Sequence, residues 1–263
     1  VSEHTLAEVP VLPNPISECF REIVPMKQRK PASVSMLYSV YKCKGTEYGI
    51  EALKLVKERV PELTVEMFGI FKRPDHLPDW VHYHCEPEDL CGLYNSVSVH
   101  VSSSVNDGWD LPCTEAMKCG CALVCTDIAG HTEYAKEKDT ALLAKAESSE
   151  CLAQRIEEAI RNDELREYIS NRGKKEVEIL SAWEKKYPSA TCIAGQLKMK
   201  EELALMSHLD VMVSMDSGNM HLASLVNTPV VSIWGATHPL AGFLGWNQSE
   251  KNVVQTDMPC RPC

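Results

Sequence analysis

The sequence predicts an α/β fold in which a parallel β-sheet carries helices on both faces, and three observations predict it. Short apolar runs alternate with amphipathic helical stretches nearly throughout the 263 residues, the order that builds parallel strands joined by crossover helices. A strand–loop–helix–strand unit occurs twice, over residues 99–127 and 211–235, each time with a Ser- and Asp-bearing loop and a short helix of small and apolar residues. A composition 44% apolar and 24% charged is that of a globular chain long enough to bury a core.

Taken in order, residues 33–39 read as a buried strand. Residues 45–60 follow as a helix with Ile50, Leu53, Val56 and Val60 on one face. Strands are expected at 64–69 and 81–84, a helix at 86–95 and a strand at 96–102. The loop 103–110 leads into a helix at 111–118, then strands at 122–126 and 140–143. A Ser-Ser cap opens a helix at 150–161 with the stripe Leu152, Ile156, Ala159 and Ile160. A polar helix at 164–171 is expected to stop at Gly173, after which the pattern restarts: helix 175–186, strand 190–194, helix 198–208, strand 211–215, helix 219–226 and strand 230–234. Three strands make a poor independent sheet, so this tail either extends the first sheet or is an incomplete domain.

A net charge of −10 repels phosphate backbones and anionic lipid, and the short basic run from Lys27 to Lys30 does not offset it; no nucleic-acid partner is expected. No apolar stretch reaches the roughly 18 residues of a spanning helix, and residues 1–4 show no signal pattern, so a cytoplasmic location is expected. Most of the twelve cysteines lie in apolar runs, as Cys119, Cys121 and Cys125 do, where a reduced thiol acts as a small hydrophobe. Cys260 and Cys263 have a ligand-like spacing, but two thiols are half of a structural zinc set, and a plain loop is the expected reading; no metal is expected.

In doubly wound sheets ligands lie outside the carboxyl ends of the strands, and helix N-termini there offer free N–H groups to an anion such as a diphosphate. The first repeated unit carries the sharper signal, Asp107-Gly-Trp-Asp-Leu-Pro-Cys-Thr-Glu115-Ala-Met-Lys-Cys-Gly120. Two carboxylates eight positions apart, one in the loop and one a turn into the helix, can face that crevice together and accept hydrogen bonds from a ribose or hexose diol. On spacing alone, a surface loop acid and an exposed helical Glu are the expected reading.

The string from Asp107 to Gly120, continued by Cys121-Ala-Leu-Val-Cys-Thr-Asp127-Ile-Ala-Gly130, resembles the acid-seven-residues-acid signature of family 4 retaining glycosyltransferases of the GT-B fold. The resemblance runs over about residues 8–173, from a linker-like Leu12-Pro-Asn-Pro-Ile16 through Lys44-Gly45 to Thr140-Ala-Leu-Leu143. It implies a Rossmann-like, C-terminal donor-binding domain of the GT-B type. It also implies that Glu115 binds the donor ribose, Asp107 contacts the transferred sugar, Lys44 neutralises the diphosphate, and backbone around Gly108 and Leu111 lines the pocket. Four positions depart from the family pattern. Ser39 stands where an Arg is usual, Asp107 where a Glu is, Lys118 where a small residue is, and Asp110 where a Gly lets backbone approach the sugar. A carboxylate at position 110 is expected to weaken diphosphate binding.

The second unit, Val211-Met-Val-Ser-Met-Asp216-Ser-Gly-Asn-Met-His221 with Thr228-Pro-Val-Val-Ser-Ile-Trp234-Gly-Ala-Thr, resembles the C-terminal half of family 9 glycosyltransferases, the lipopolysaccharide heptosyltransferase group. This implies that Asp216, Ser217, Gly218 and His221 meet a nucleotide-sugar, with Gly235 and Thr237 beside it; without it, Asp216 and Ser217 read as an N-cap and His221 as a buried helix residue. Residues 1–173 are thus expected to form a family 4-like nucleotide-sugar-binding domain and 174–263 a partial family 9-like half-domain. The order reads as a chimera of two homologous halves or as a fragment. The expected activity is sugar transfer from a nucleoside diphosphate sugar, a substrate rather than a cofactor, to a glycan or lipopolysaccharide-type acceptor. The acceptor-binding N-terminal domain is expected to be missing and turnover therefore small, and only the parent enzyme is expected to associate peripherally with a membrane. A catalytically inactive nucleotide-binding or scaffold module is the alternative, as is an engineered chimera without activity.

Overall fold

The structure, a computed structural model, describes residues 16–180, 191, 193, 197–234, 238–239 and 242–255. The expected strand at 190–194 falls mostly outside these residues. Residues 12–15, Gly235, Thr237, Cys260 and Cys263 also lie outside them. The chain divides into two compact units, residues 1–194 and 195–263.

In the first unit the strands are β1 (Ser33–Leu37), β2 (Thr64–Gly69), β3 (Val81–Cys85), β4 (Val99–Ser102), β5 (Ala122–Thr126) and β6 (Ala141–Ala144). They form one sheet in the order β3-β2-β1-β4-β5-β6, and every pairing is parallel. The helices are α1 (Thr46–Arg59), α2 (Leu90–Ser96), α3 (Leu111–Lys118), α4 (Ser149–Arg161) and α5 (Asp163–Leu180). Strand side chains alternate between two apolar layers, as the pleat requires. Val34, Met36, Val99, Val101, Ala122 and Val124 pack with Leu53 and Val56 of α1 and with Leu152 and Ile156 of α4. Leu123 and Cys125 point the other way, toward Cys113 and Met117 of α3.

This is the doubly wound order in which the chain starts in the middle, winds outward to β3, then returns to the other side of β1. The point of reversal lies between β1 and β4, whose following loops must separate to opposite faces. A crevice is therefore built into the topology at the carboxyl ends of these two strands.

Arg29 ties the helices of the second face together at their C-terminal ends. Its buried guanidinium donates to the carbonyls of Tyr94 (3.2 Å), Val97 (2.9 Å) and Cys119 (2.6 Å) and to Asn95 Oδ1 (3.2 Å). Those carbonyls end α2 and α3, where helices leave acceptors unpaired and favour a cation. Lys118, the departure from a small residue, is buried and donates to the carbonyls of Ile16 and Ser17 and to Glu18, so it fastens the incoming segment.

The expected helix stop at Gly173 is not there, because α5 continues to Leu180. Gly173 serves packing instead: a Cβ at this position would lie 3.0 Å from Met117 Cε and 3.2 Å from the Thr140 carbonyl oxygen. The absent side chain lets α5 lie close against α3.

The second unit holds α6 (Met199–Met206), β7 (Met212–Met215), α7 (Gly218–Leu225), β8 (Val230–Trp234) and β9 (Val253–Gln255). Its strands form their own parallel sheet, β7-β8-β9, over a small core of Met220, Ala223, Val230 and Trp234. Of the two possibilities left open by the sequence for the tail, extension of the first sheet is excluded. The strand β9 is not foreshadowed by any apolar run of strand length. Among the described residues no helix is long and apolar enough to cross a membrane.

Replacing Arg29 by Ala leaves the Cys119 carbonyl without its donor and takes the charged donor from the Tyr94 and Val97 carbonyls, which keep Cys121 Sγ and, at Tyr94, the Val97 N–H. The expected loss is about 2–4 kcal/mol in urea unfolding. An unchanged midpoint would show that the carbonyls find water instead.

Candidate functional site

The crevice between β1 and β4 brings together most of the residues singled out in the first unit. After β1 the chain makes a short 3-10 turn, Lys42–Lys44, and Gly45 then starts α1 with a left-handed φ of 57°. A Cβ at Gly45 would meet the Ser103 carbonyl oxygen at 2.1 Å, so both conformation and close approach demand glycine. The β1 loop is thereby pressed onto the β4 loop. Val105 and Asn106 donate their N–H groups to the Cys43 carbonyl (2.7 and 3.1 Å), and Ser103 Oγ donates to the Lys44 carbonyl (3.1 Å).

Lys44 is held from the opposite loop. Its ammonium donates to Asp107 Oδ2 and, at 3.0 Å, to Asp110 Oδ1. Asp107 Oδ1 in turn accepts from the backbone N–H of Trp109 (3.3 Å) and Asp110 (3.1 Å), a side-chain turn that sets the shape of the loop. Gly108 has open space where a Cβ would point and Leu111, the first residue of α3, is 44% exposed, but neither lines the two cavities at this end of the sheet.

Asp110 occupies the glycine position of the resemblance, and it does so with glycine's backbone, at φ 60°. Its side chain turns inward and is 5% exposed. Oδ2 accepts from Ser102 Oγ, Ser104 Oγ (3.3 Å) and Cys113 Sγ (3.4 Å). Burial raises the pKa of this carboxyl, but His131, Lys44 and Ser102 together outweigh burial and hold it far below the usual carboxylate range. Burial likewise lowers the pKa of Lys44, and Asp110 with Asp107 more than reverses it, keeping the ammonium charged. The carboxylate at 110 thus pairs with Lys44, the cation that the resemblance assigns to a diphosphate. The space bordered by Leu37, Lys44, His100, Ser102, Ser104 and Asp110 is about 10 Å³, roughly one water. A larger cleft of about 610 Å³ opens on the α1 side, where Tyr38, Ser39, Tyr41, Thr46 and His76 line it; Asp107 and Glu115 do not. Ser39, standing in for an Arg, is spent locally: its N–H donates to Thr46 Oγ1 at 3.1 Å and its Oγ accepts from the Tyr41 N–H at 3.2 Å.

Glu115 sits a turn into α3 and faces α2, where Tyr94 Oη donates to its Oε2 at 3.3 Å. Burial and, more weakly, the Asp110 charge push its carboxyl up to about 7 against the relief given by Tyr94. It is neither a solvated surface acid nor in contact with Lys44.

In the second unit Asp216 and Ser217 follow β7 and Gly218 opens α7. Ser217 holds the N-cap position without a side-chain bond to the helix, and it, Gly218 and His221 are exposed. The bland reading of His221 as a buried helix residue is excluded. Sequence reasoning missed Tyr94, Ser102, Ser104 and His131. The serines were visible as a run ending β4, but His131 joins the cluster only through the turn after β5, 21 positions beyond Asp110.

Comparison with known proteins gives two families along one chain. The family model of glycosyl transferases group 1 matches residues 21–176, and that of glycosyltransferase family 9 (heptosyltransferase) matches residues 165–263. Lipopolysaccharide heptosyltransferase 3 of Escherichia coli is 34% identical over 68 residues, 26% of this chain and 19% of that protein. O-antigen chain mannosyltransferase B of Escherichia coli is 30% identical over 96 residues, 36% of this chain and 25% of that protein. The chain therefore spans a quarter or less of these relatives. Among solved structures, the C-terminal domain of a glycosyl transferase group 1 family protein (LpcC) from Francisella tularensis has a TM-score of 0.53 at 20% identity, covering 63% of this chain and 97% of that one. Anabaena Alr3699/HepE, solved with UDP and glucose, has a TM-score of 0.51 at 17% identity, covering 62% of this chain and 49% of that one. The expected Rossmann-like fold of the GT-B C-terminal domain is thereby shown.

The raised pKa of Glu115 has a sign that unfolding can read. Between its ordinary value of 4.5 and about 7 the folded chain keeps a proton that the unfolded chain gives up. Its contribution to stability therefore declines as pH rises through that window. Relative to Glu115→Gln, the wild-type unfolding free energy should fall over this range, and parallel pH profiles of the two proteins would show that the carboxyl titrates normally.

Proposed function

The chain belongs to the group 1 glycosyl transferases, and from that footing we propose that its first unit binds the nucleoside diphosphate end of a sugar donor. The observation that carries the reading is Lys44, a charged ammonium fixed between the β1 and β4 loops at the reversal point of a doubly wound sheet. In this reading Lys44 stabilises the diphosphate, including its charge as a leaving group. Glu115 accepts the ribose hydroxyls, Asp107 contacts the transferred sugar, and Gly108 with Leu111 lines the pocket.

Binding then requires an exchange of partners. The space around Lys44 is too small for a phosphate while both carboxylates hold the ammonium, so the donor must displace Asp110 or Asp107 from it. The solved relative with UDP supports the ligand class. We assign the parent enzyme's reaction as sugar transfer to a glycan or lipopolysaccharide-type acceptor, which accords with the heptosyl- and mannosyltransferase relatives. Residues 174–263 are read as a partial second donor-binding half, with Asp216, Ser217, Gly218, His221, Gly235 and Thr237 as its candidate contacts. An acceptor-binding domain outside these residues supplies what the reaction still needs.

A second reading, an inactive nucleotide-binding module, is favoured by one observation: Lys44 is neutralised by two acids and Ser39 supplies no second cation. Both readings require nucleotide binding, and only the first requires transfer of sugar once an acceptor-binding domain is joined.

Calorimetric titration of the full chain with UDP, GDP and ADP is expected to give heat with at least one of them. Lys44→Ala should weaken that binding at least about tenfold, the scale of a lost charge-assisted contact. Silence with all three nucleotides would refute donor binding. Asp110→Asn keeps a residue that tolerates the left-handed backbone and removes the competing charge. Affinity should rise roughly fivefold, about 1 kcal/mol, and a fall would show that the contacts of Asp110 to Ser102, Ser104 and Cys113 matter more to the site than its competition for Lys44.

A further inference from the structure

Behind the Lys44 pair, three side chains of different chemistry meet at the buried root of α3. Asp110, Cys113 and His131 are 5%, 0% and 1% exposed. Asp110 Oδ2 lies 3.4 Å from Cys113 Sγ and 3.4 Å from His131 Nε2, and one ligand atom from each of the three falls within 4.8 Å of the others. A tetrahedral ion with bonds of roughly 2.0–2.3 Å holds its ligand atoms about 3.3–3.6 Å apart. The two measured edges have that length.

The orientation of His131 is an independent observation. Its Nδ1 is 2.7 Å from the Thr126 carbonyl oxygen, which only accepts, so Nδ1 carries the proton. In the neutral ring Nε2 then presents a lone pair, and this atom is buried with no hydrogen-bond partner. It faces a carboxylate oxygen at 3.4 Å, an arrangement that needs a cation between the two atoms or a second proton on the ring. A proton on Nε2 makes the metal-free alternative, a His131–Asp110 ion pair. One ring nitrogen bonded to a backbone carbonyl and the other aimed into a donor cluster is the habit of metal-ligating histidines.

We propose that Asp110, Cys113 and His131 supply three of the four ligands of a zinc site, the fourth being a water or a serine hydroxyl. Sulfur, imidazole nitrogen and carboxylate oxygen together suit a borderline-soft divalent ion, whereas the thiolate disfavours Mg²⁺ and Ca²⁺. Two anionic ligands balance the ion, and Ser102 and Ser104 donate their hydroxyls to the Asp110 oxygen that would bind it. When the ion binds, Cys113 releases its thiol proton to solvent and a zinc–sulfur bond forms, with no change of oxidation state. The site joins two segments distant in sequence: the loop and first turn of α3 that carry Asp110 and Cys113, and the turn after β5 that carries His131. Asp110 Oδ1 remains on Lys44. Asp110 is thus common to both sites, whereas Cys113 and His131 belong to the metal site alone.

The test uses the full chain without nucleotide, stripped by a chelator during refolding and titrated with Co²⁺ and then Zn²⁺. One equivalent of Co²⁺ should bind with the visible bands of a tetrahedral ion and a thiolate-to-cobalt charge-transfer band, both removed by Zn²⁺. Cys113→Ser and His131→Ala should each weaken binding at least about tenfold and change the spectrum, Cys113→Ser by loss of the charge-transfer band. The double variant Cys260→Ser, Cys263→Ser should bind as the wild type does. X-ray absorption at the zinc edge of the wild-type protein needs no variant, and it should show one sulfur with nitrogen and oxygen neighbours. No stoichiometric metal binding, a charge-transfer band that survives in Cys113→Ser or depends on Cys260 and Cys263, or a shell with no sulfur or several would each overturn the site and leave a metal-free acid–imidazole pair. Nucleotide titration reads a different ligand, so the two proposals fail separately.

Discussion

A carboxylate buried at the end of a parallel sheet must be answered by its surroundings, and Asp110 is where this structure meets that demand. An isolated ionised carboxyl in so dry a position would simply take up a proton. Here Lys44, Ser102, Ser104, Cys113 and His131 converge on its two oxygens from four segments of chain. Each contact also fixes a loop, so the shape of the crevice and the ionisation of Asp110 depend on each other. The left-handed backbone at this position turns the side chain inward, and the charge is consequently spent on the protein before any ligand arrives.

The same arrangement explains how a chain can keep a donor-site fold while changing its donor-site chemistry. The reversal of strand order creates the crevice whatever residues line it. The Gly45 turn and the Ser103 carbonyl bring the β1 and β4 loops into contact, and Lys44 is delivered to the gap as a result. What fills the gap is then a matter of local charge, and two carboxylates against one ammonium leave little positive potential for a diphosphate. Glu115, in contrast, is kept apart from this exchange by Tyr94 and by its place on the α2 side of α3.

The second unit repeats the strand–loop–helix theme on a smaller scale, but its exposed Ser217, Gly218 and His221 are backed by a core of only a few side chains. The two family matches overlap over residues 165–176, within the continuous helix α5.

By itself the sequence determined the periodicities, and with them the parallel sheet, the helices over 111–118 and 150–161, the strands at 64–69, 122–126 and 230–234, and the acid-seven-residues-acid string. These follow from short-range rules: alternation along a strand, the stripe on a helix, the cap before it. Gly173 was misread as a stop because a helical glycine and a terminating one look alike until the neighbour that crowds it, Met117, is in place. Only the tertiary structure decided that the tail's strands form their own sheet, that Glu115 faces Tyr94, that Asp110 turns inward onto Lys44, and that His131 comes back to meet it. Those outcomes are contacts between distant segments, set by the crossing of chains at a strand end, and no local pattern encodes them.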